Sequence, residues 1–98
     1  MRPFTCLLDR CDGTAVVHLG GELDAATAPQ LDHALEGVTG HVTFDCSGLA
    51  FVDSSGLAVF DRVNTNGGAS LRDPRPNVRR ALEITNFDGL ILARPPDA

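Results

Sequence analysis

Hydrophobic residues recur at two spacings along this chain, and the spacings predict which segments are strands and which are helices. Short apolar runs of about four to eight residues are typical of strands, whereas apolar residues at i, i+3, i+4 and i+7 are typical of helices that bury one face. By these criteria Phe4–Leu8 and Thr14–Leu19 are strands. Asp12-Gly13 between them is a strong turn signal, so we predict a hairpin whose second strand is closed by Gly20-Gly21.

A helix is predicted after this hairpin, because apolar residues recur at helical spacing over Leu31–Val38. Thr27 and Gln30 fit the pattern of a capping box, in which each side chain bonds to the other residue's backbone N–H. Gly37 and Gly40 bracket the end of the helix.

The second half of the chain continues the alternation of strands and helices. Val42–Phe44 predicts a buried strand, and Leu57–Val63 predicts a second helix that Asn64–Gly68 is expected to stop after about two to three turns. Three elements complete the prediction: a weak strand at Ala69–Arg72, a third helix introduced by Pro74 and Pro76 and closed by Asn86 in the left-handed conformation, and a short strand at Leu90–Leu92.

The predicted order, β-β-α-β-α-β-α-β, indicates an α/β domain with a mixed, largely parallel sheet. We expect about five strands packed against about three helices. The length of 98 residues allows one domain with one core. Residues 4–92 are expected to form the ordered core of this single domain, and residues 93–98 a tail.

Composition limits which cellular compartments and which classes of partner are expected. The formal net charge of −5 argues against nucleic acid and anionic membrane as partners. No apolar run approaches the roughly 20 residues that span a bilayer, and the first residues lack a secretory signal, so we expect a cytoplasmic protein. The three cysteines, Cys6, Cys11 and Cys46, form no C-x-x-C pair. A redox pair of Cys6 with Cys46 stays open if their strands are adjacent.

The segment with the most chemical content is Phe51–Leu57, which places an acid and two hydroxyls where a strand gives way to a helix. The first backbone N–H groups of a helix have no partner within the helix. A serine at this point therefore either caps the helix or stays free to react. A phosphate on such a serine lies in a locally positive field with carboxylates nearby, which suits a switch better than a catalytic pocket.

Three blocks of the sequence resemble the STAS domain, the fold of bacterial anti-sigma-factor antagonists. Gly21–Pro29 resembles the opening motif of the family, Asp45–Leu57 its central signature, and Asn77–Asp88 its third block. The blocks occur in the order of the family and cover nearly the whole chain. The resemblance therefore implies a single STAS-like domain.

The resemblance also implies a partner switch. In the family, the unphosphorylated antagonist binds an anti-sigma factor that is also a serine kinase, and this binding frees a sigma factor. The kinase phosphorylates the Ser that directly follows Asp in a D-S-[ST]-G motif, which ends the complex, and a phosphatase resets it. The acceptor maps onto Ser54, with Ser55 as the fallback. No cofactor is implied, and the oligomeric state is expected to be a monomer or a weak dimer.

The expected partner surface surrounds this acceptor. Asp24 lies beside the acceptor in the family fold, and Gly56 is expected to leave the backbone open to close approach. The predicted partner-binding residues are Asp24, Asp53, Ser54, Ser55, Gly56, Ala58 and Asp61.

A scaffold and an enzyme are the alternatives to this function. A STAS-type scaffold or subunit of another signalling or lipid-transport assembly would use the same fold without a phospho-switch. An enzyme is not expected, because the chain has no G-x-S-x-G motif and no histidine placed beside a serine. His18, His33 and His41 lack metal-ligand spacing, so no metal site is expected. A cluster of arginines is either a solvated helix face or a docking patch for an acidic partner: Arg72, Arg75, Arg79 and Arg80.

The chain also departs from the family pattern. The second helix is predicted to be about one turn short, and the usual C-terminal helix is missing or reduced to the tail after Leu92. Asp73-Pro74-Arg75-Pro76 stands where the family often has Asn-Pro-Ser-Pro, and Arg75 cannot cap the third helix as a serine would. These departures predict a domain of marginal stability.

Overall fold

The computed structural model, which describes residues 3–11 and 13–92, contains one four-stranded sheet and three α-helices. The strands are β1 (Thr5–Cys11), β2 (Thr14–Leu23), β3 (Val42–Val52) and β4 (Ala69–Arg72). The helices are α1 (Ala28–Ala34), α2 (Ser54–Gly67) and α3 (Pro76–Ile84), followed by a 3₁₀ turn at Asp88–Leu90. The mixed α/β architecture predicted from the sequence is confirmed.

The sheet follows the order of the chain, β1-β2-β3-β4. The predicted hairpin is confirmed, because β1 pairs with β2 antiparallel from Thr5↔Gly20 to Cys11↔Thr14. Asp12 of its turn lies outside the described residues. β2–β3 and β3–β4 are parallel pairs, and the chain crosses between them through α1 and α2.

The core lies between one face of the sheet and the helices. Burial alternates along the strands, and the buried residues of strands and helices belong to one cluster, so the helices share a single face of the sheet. Val17, Phe44 and Leu71 form a fully buried row across three strands. The Phe44 ring packs on Phe60 of α2, with ring centroids 4.8 Å apart.

Two strands are longer than the sequence predicted. β2 does not end at Gly20-Gly21 but continues to Leu23, and β3 continues past Phe44 to Val52. The two extensions pair with each other, and the pairing between β2 and β3 contains two register shifts. The glycines permit this irregular pairing, because a side chain on Gly21 would lie 2.6 Å from the carbonyl oxygen of Pro3. What looked like a strand end is therefore a bulged stretch of strand.

α2 is also longer than predicted. It spans 14 residues and passes through Asn64, so the prediction that the helix stops after about two to three turns is wrong. Asn64 supports the end of the helix: its carbonyl accepts from Gly68 N–H, and its side-chain oxygen accepts from Ala69 N–H at 3.2 Å. Gly68, with φ of 97°, ends the helix.

The predicted last strand is not formed over the described residues. Leu90 belongs to the 3₁₀ turn, and Ile91 makes a single isolated parallel bridge to Leu71. Over residues 3–11 and 13–92 the sheet therefore has four strands, not five. The Leu92 N–H, which bonds to the Leu71 carbonyl at 2.8 Å, adds one hydrogen bond to this bridge. The predicted tail, residues 93–98, lies outside the described residues. Asn86 closes α3 with φ of 66°, as expected.

β4 is shorter than its neighbour and covers only part of the edge of β3. The two strands pair from Val42↔Ala69 to Asp45↔Arg72, whereas β3 continues for seven residues beyond Asp45. The start of α3 lies along the uncovered edge. Arg75 occupies the N-cap position of α3 without making a side-chain cap bond, as expected of an arginine.

A charged row crosses the face of the sheet opposite the helices. Asp45 Oδ2 lies 2.9 Å from His18 Nδ1 and 3.3 Å from an Arg72 terminal nitrogen, and Asp45 Oδ1 accepts from Ser47 N–H at 3.1 Å. Partial burial raises the pKa of the Asp45 carboxyl, but the hydrogen bonds from these partners outweigh it and lower the pKa to about 2.

This row predicts how stability responds to acid. A carboxyl with a depressed pKa stabilises the fold above its unfolded pKa of about 3.9, and the contribution is lost as pH falls toward its folded pKa. We expect wild-type stability in urea to fall between about pH 4 and pH 2 partly through Asp45. Asp45→Asn should be less stable at pH 7 and should lose less on acidification. Asp9→Asn, an exposed carboxylate on β1, should keep the wild-type acid response, and an unchanged response in Asp45→Asn would contradict the assignment.

The thiols of Cys6 and Cys46 lie on β1 and β3, with β2 between them. Strands in a sheet are about 4.8 Å apart, so these residues are separated by about 10 Å, beyond the roughly 7 Å limit for a disulfide. The redox pair left open from the sequence is therefore excluded. Burial raises the pKa of Cys6, and burial together with the charge of Asp45 raises the pKa of Cys46 to about 12, which disfavours the thiolate form of both side chains.

Within residues 3–11 and 13–92, no helix has the length and apolar character needed to cross a bilayer.

Candidate functional site

The paired ends of β2 and β3 bring two acidic residues together. Leu23 and Val52 are register partners and the last residues of their strands, so Asp24 and Asp53 leave the same edge of the sheet side by side. The backbone N–H of Asp53 donates to the Leu23 carbonyl at 3.1 Å, which fixes the direction in which the chain leaves β3. The sequence prediction that Asp24 lies beside the Asp53–Ser54 segment agrees with this geometry.

Asp53 is the N-cap of α2. Its backbone is extended, and its Oδ1 accepts from Ser55 N–H at 2.8 Å and from Gly56 N–H at 3.3 Å. These two donors have no partner within the helix, so the carboxylate satisfies two of the four free N–H groups of the first turn. The sequence left open whether a serine caps this helix, and the structure assigns that role to Asp53.

Removal of this cap should weaken the domain by a measurable amount. Asp53→Ala is expected to lower the free energy of unfolding by about 1 kcal/mol, because the two N–H groups lose their acceptor. Asp61→Ala removes an exposed carboxylate from the same helix without removing a cap and should stay within about 0.5 kcal/mol of wild type. Urea unfolding at pH 7 measures both changes, and equal stability of the two variants would argue against the cap.

Ser54 is the first residue of α2, and its side chain is exposed. Among the residues that the structure describes, its hydroxyl forms no hydrogen bond and is not needed as a cap. Ser55 is only half-buried but is less exposed than Ser54. The geometry therefore offers Ser54 as the more accessible of the two hydroxyls.

The loop that carries Asp24 is held by hydrogen bonds of its own. Asp24 Oδ1 accepts from Ala26 N–H at 3.0 Å and from Thr27 N–H at 3.1 Å. Thr27 Oγ1 donates to the Glu22 carbonyl at 2.8 Å and accepts from Asp24 N–H at 2.9 Å. Thr27 therefore ties the loop to the end of β2 and forms no capping box with Gln30, so that prediction is wrong. Its spacing after Asp24 is the only sequence signal for this role.

Three predicted residues share one exposed face of α2. Ser54, Ala58 and Asp61 are exposed and lie at positions i, i+4 and i+7. Gly56 differs from them, because it is buried against the ends of both central strands. A Cβ on Gly56 would lie 2.6 Å from Leu23 Cγ. The space that the sequence was expected to leave there for a partner is thus filled by the core.

The chemistry of this edge is that of an accessible neutral hydroxyl among carboxylates. Asp24 and Asp53 stand at the strand ends, and Asp61 lies two turns along α2. The N-terminus of α2 adds a partial positive charge at Ser54. A negative charge at Ser54 would be repelled by these carboxylates and attracted by the end of the helix.

Histidines and arginines of the described chain take part in other contacts. His18 contacts Asp45, His33 contacts Glu36 at 3.1 Å, and His41 contacts Ser70 at 2.8 Å, so none is bonded to the Ser54 hydroxyl. The arginine cluster predicted from the sequence is divided: Arg72 pairs with Asp45, Arg75 bonds to a β3 carbonyl, Arg79 pairs with Glu83, and Arg80 is exposed. Across residues 3–11 and 13–92, no group of three metal-ligating side chains converges.

Comparison with known proteins finds one family that covers nearly the whole chain. The family described as "Mlab, STAS domain" matches residues 6–93. The anti-sigma F factor antagonist of Paenibacillus polymyxa is 34% identical over 85 residues, which cover 76% of this chain and 73% of the relative.

Solved structures with this fold include several antagonists. An anti-sigma factor antagonist from Mycobacterium paratuberculosis is 28% identical, with a TM-score of 0.77 over 97% of this chain and 90% of the other. The unphosphorylated antagonist SpoIIAA is 22% identical, with a TM-score of 0.78 over 95% of this chain and 90% of the other. The phosphorylated form of SpoIIAA from Bacillus aligns with a TM-score of 0.68 at 21% identity, over 95% of this chain and 94% of the other.

Proposed function

Because the chain belongs to the STAS domain family, we propose that it is an anti-sigma factor antagonist whose binding to its partner is controlled by phosphorylation of Ser54. The partner is an anti-sigma factor with serine kinase activity, and binding of the unphosphorylated chain releases a sigma factor. The names of two relatives, 34% and 28% identical, support the antagonist function. A phosphatase would return the chain to its binding form.

The observation that carries the switch is the state of the Ser54 side chain. Its hydroxyl is exposed, stands at the first position of α2 and forms no hydrogen bond within the described part of the chain. Asp53 already supplies the cap, so modification of Ser54 removes no contact that the helix needs. The fold can therefore accept a phosphate at this position without rearranging.

The proposed modification is a phosphoryl transfer from ATP. The partner kinase transfers the γ-phosphoryl group, so that an Oγ–P bond forms on Ser54, the bond from phosphorus to the ADP oxygen breaks, and a base of the kinase takes the hydroxyl proton. The chain is the substrate of this reaction, and we assign it no reaction of its own.

The phosphate changes the interface and leaves the fold intact. It brings a charge of about −1.5 to −2 to a site already flanked by Asp24 and Asp53. The positive end of α2 lowers the cost of that charge for the free protein. A partner surface fitted to a neutral hydroxyl receives no such compensation, so like charges and buried unpaired oxygens weaken the complex. Phosphorylation thus acts on binding more than on stability.

The proposal is tested by complex formation. The purified chain is mixed with each candidate anti-sigma kinase and its sigma factor, with ADP in place of ATP, and the species are separated by size. We expect a stable complex of the chain with one kinase and free sigma factor. Retention of every sigma factor by its anti-sigma partner would contradict the proposal.

A further inference from the structure

We propose that Arg75, at the N-cap of α3, and Asn77, in its first turn, are positioning residues. They hold the outer half of β3 (Cys46–Val52) and thereby fix Asp53 and Ser54 for the partner. The part that concerns the partner rests on the proposed function. The part that concerns β3 stands on the contacts alone and has its own test.

One edge of β3 is left uncovered over the outer half of the strand. β4 ends opposite Asp45, so the segment Cys46–Val52 has a strand partner on one side only. On that side its pairing with β2 contains two register shifts, which weaken the ladder. A strand held on one side through an irregular ladder is prone to local opening. Asp53 and Ser54 follow directly from this segment.

Two side chains of α3 bond to that free edge. Arg75 Nε donates to the Ser47 carbonyl at 2.9 Å, and Asn77 Nδ2 donates to the Ala50 carbonyl at 2.7 Å. These two bonds replace those that a neighbouring strand would make to β3. The second of the two carbonyls, that of Ala50, lies only three residues before Asp53. The bond from the charged guanidinium group is of the stronger class.

Within the described part of the chain, Arg75 makes no side-chain contact that stabilises the start of α3. Arg75 occupies the N-cap of α3, where Ser, Thr, Asp or Asn would stabilise the helix, and it forms no cap bond. Because arginine occupies the N-cap, α3 lacks a side-chain cap. The same arginine links α3 to β3, the strand that leads to Asp53 and Ser54.

This conflict between helix and strand allows a sharp test. Arg75→Ser supplies a cap for α3, and Asn77→Asp places a carboxylate in the first helical turn, so both changes favour the helix. Both also remove the bond to β3: a serine side chain is too short to replace arginine at the Ser47 carbonyl, and a carboxylate cannot donate to the Ala50 carbonyl. In the double variant the stability of α3 should therefore be unchanged or higher, whereas the outer half of β3 should open locally more often. Arg80→Ser, at an exposed position of α3, is the control, and Arg75→Lys, which retains a donor, is the rescue variant.

The first readout is amide hydrogen exchange of the free protein. We expect exchange at Gly48–Val52 to rise at least about tenfold in the double variant, with β1, the first half of β2 and α3 unchanged. Arg80→Ser should match the wild type, and Arg75→Lys should lie closer to the wild type than Arg75→Ser does. Unchanged exchange at Gly48–Val52, or an equal rise over all four strands, would overturn the positioning role.

The second readout is the kinetics of Ser54 phosphorylation by the partner kinase. We expect kcat/KM to fall about tenfold in the double variant, mainly through KM, because Ser54 is presented in fewer productive geometries. Kinetics equal to wild type would overturn the link to the partner. A wild-type chain that no kinase phosphorylates would refute the proposed function, and the exchange measurement would still decide whether α3 holds β3.

Discussion

A Ser54→Asp variant is expected to bind the anti-sigma partner about 100-fold more weakly than the wild type, a loss of about 2.7 kcal/mol. The introduced carboxylate adds a third negative charge beside Asp24 and Asp53. Removing water from this carboxylate also costs free energy in an interface shaped for a hydroxyl. Ser54→Ala removes only a hydroxyl that has no hydrogen bond within the described residues, so it should bind within about threefold of the wild type. It should also persist in the binding form when ATP is present.

Calorimetric titration of the partner with each variant measures the two affinities. Asn66→Asp, which adds one negative charge to an exposed position at the far end of α2, is the matched control and should bind like the wild type. All variants should unfold at nearly the same urea concentration, because none of these side chains is buried. Tight binding by Ser54→Asp would mean that the switch does not act through this residue.

Gly56→Ala is expected to destabilise the domain by about 2 kcal/mol, since it forces a methyl group into a filled space. The added carbon would lie 2.6 Å from Leu23 Cγ and 2.7 Å from Val52 Cγ2, which are closer than carbon atoms approach in folded proteins. Relief of this overlap requires α2 to move away from the strand ends. The same movement displaces Ser54, so partner binding should weaken together with stability.

Thermal and urea unfolding of Gly56→Ala measure the first effect. Gly89→Ala is the matched control, because a Cβ at Gly89 would meet no atom within 4 Å and its backbone does not need a glycine. We expect the control to stay within about 0.5 kcal/mol of the wild type. If both glycine variants are equally stable, the packing of α2 against the strand ends does not depend on Gly56.

The sequence predicted the succession of elements well because the helices share one face of the sheet. A single buried face produces period-two and helical patterns that local inspection detects, as at Val17, Phe44 and Leu71. Element ends were predicted less well, since they depend on contacts made far along the chain. β2 passes through Gly20, which pairs with Thr5 of β1. A glycine is needed there because Thr5 Oγ1 occupies the space that a side chain would take.

The length of α2 illustrates the same limit. Asn64–Gly68 contains residues that often end a helix, yet the helix continues to Gly67. Asn64 bonds through its side chain to Ala69 N–H at the start of β4, a contact that exists only once the next strand is in place. The opposite error occurred at Leu90–Leu92, where an apolar run of strand type makes only one bridge to β4.

The resemblance to the family located the candidate site, but only the structure shows which of its residues caps the helix and which hydroxyl is free among the described residues. Asp, Ser and Ser are all good N-cap residues, so the sequence could not say which of Asp53, Ser54 and Ser55 caps α2. The choice depends on the hydrogen bond from Asp53 N–H to Leu23, which sets the backbone direction at the strand end. The contacts of Arg75 and Asn77 likewise join segments distant in sequence and left no local pattern.

The most direct test of the central claim is the intact mass and the modified residue of the wild-type chain after incubation with its anti-sigma kinase and ATP. We expect one added phosphate, located at Ser54, and dissociation of the complex as the phosphate appears. A stable complex that never gains a phosphate would indicate a STAS-type scaffold, and a phosphate on another residue would place the switch elsewhere. Either of these results would contradict the assignment of Ser54 as the switch.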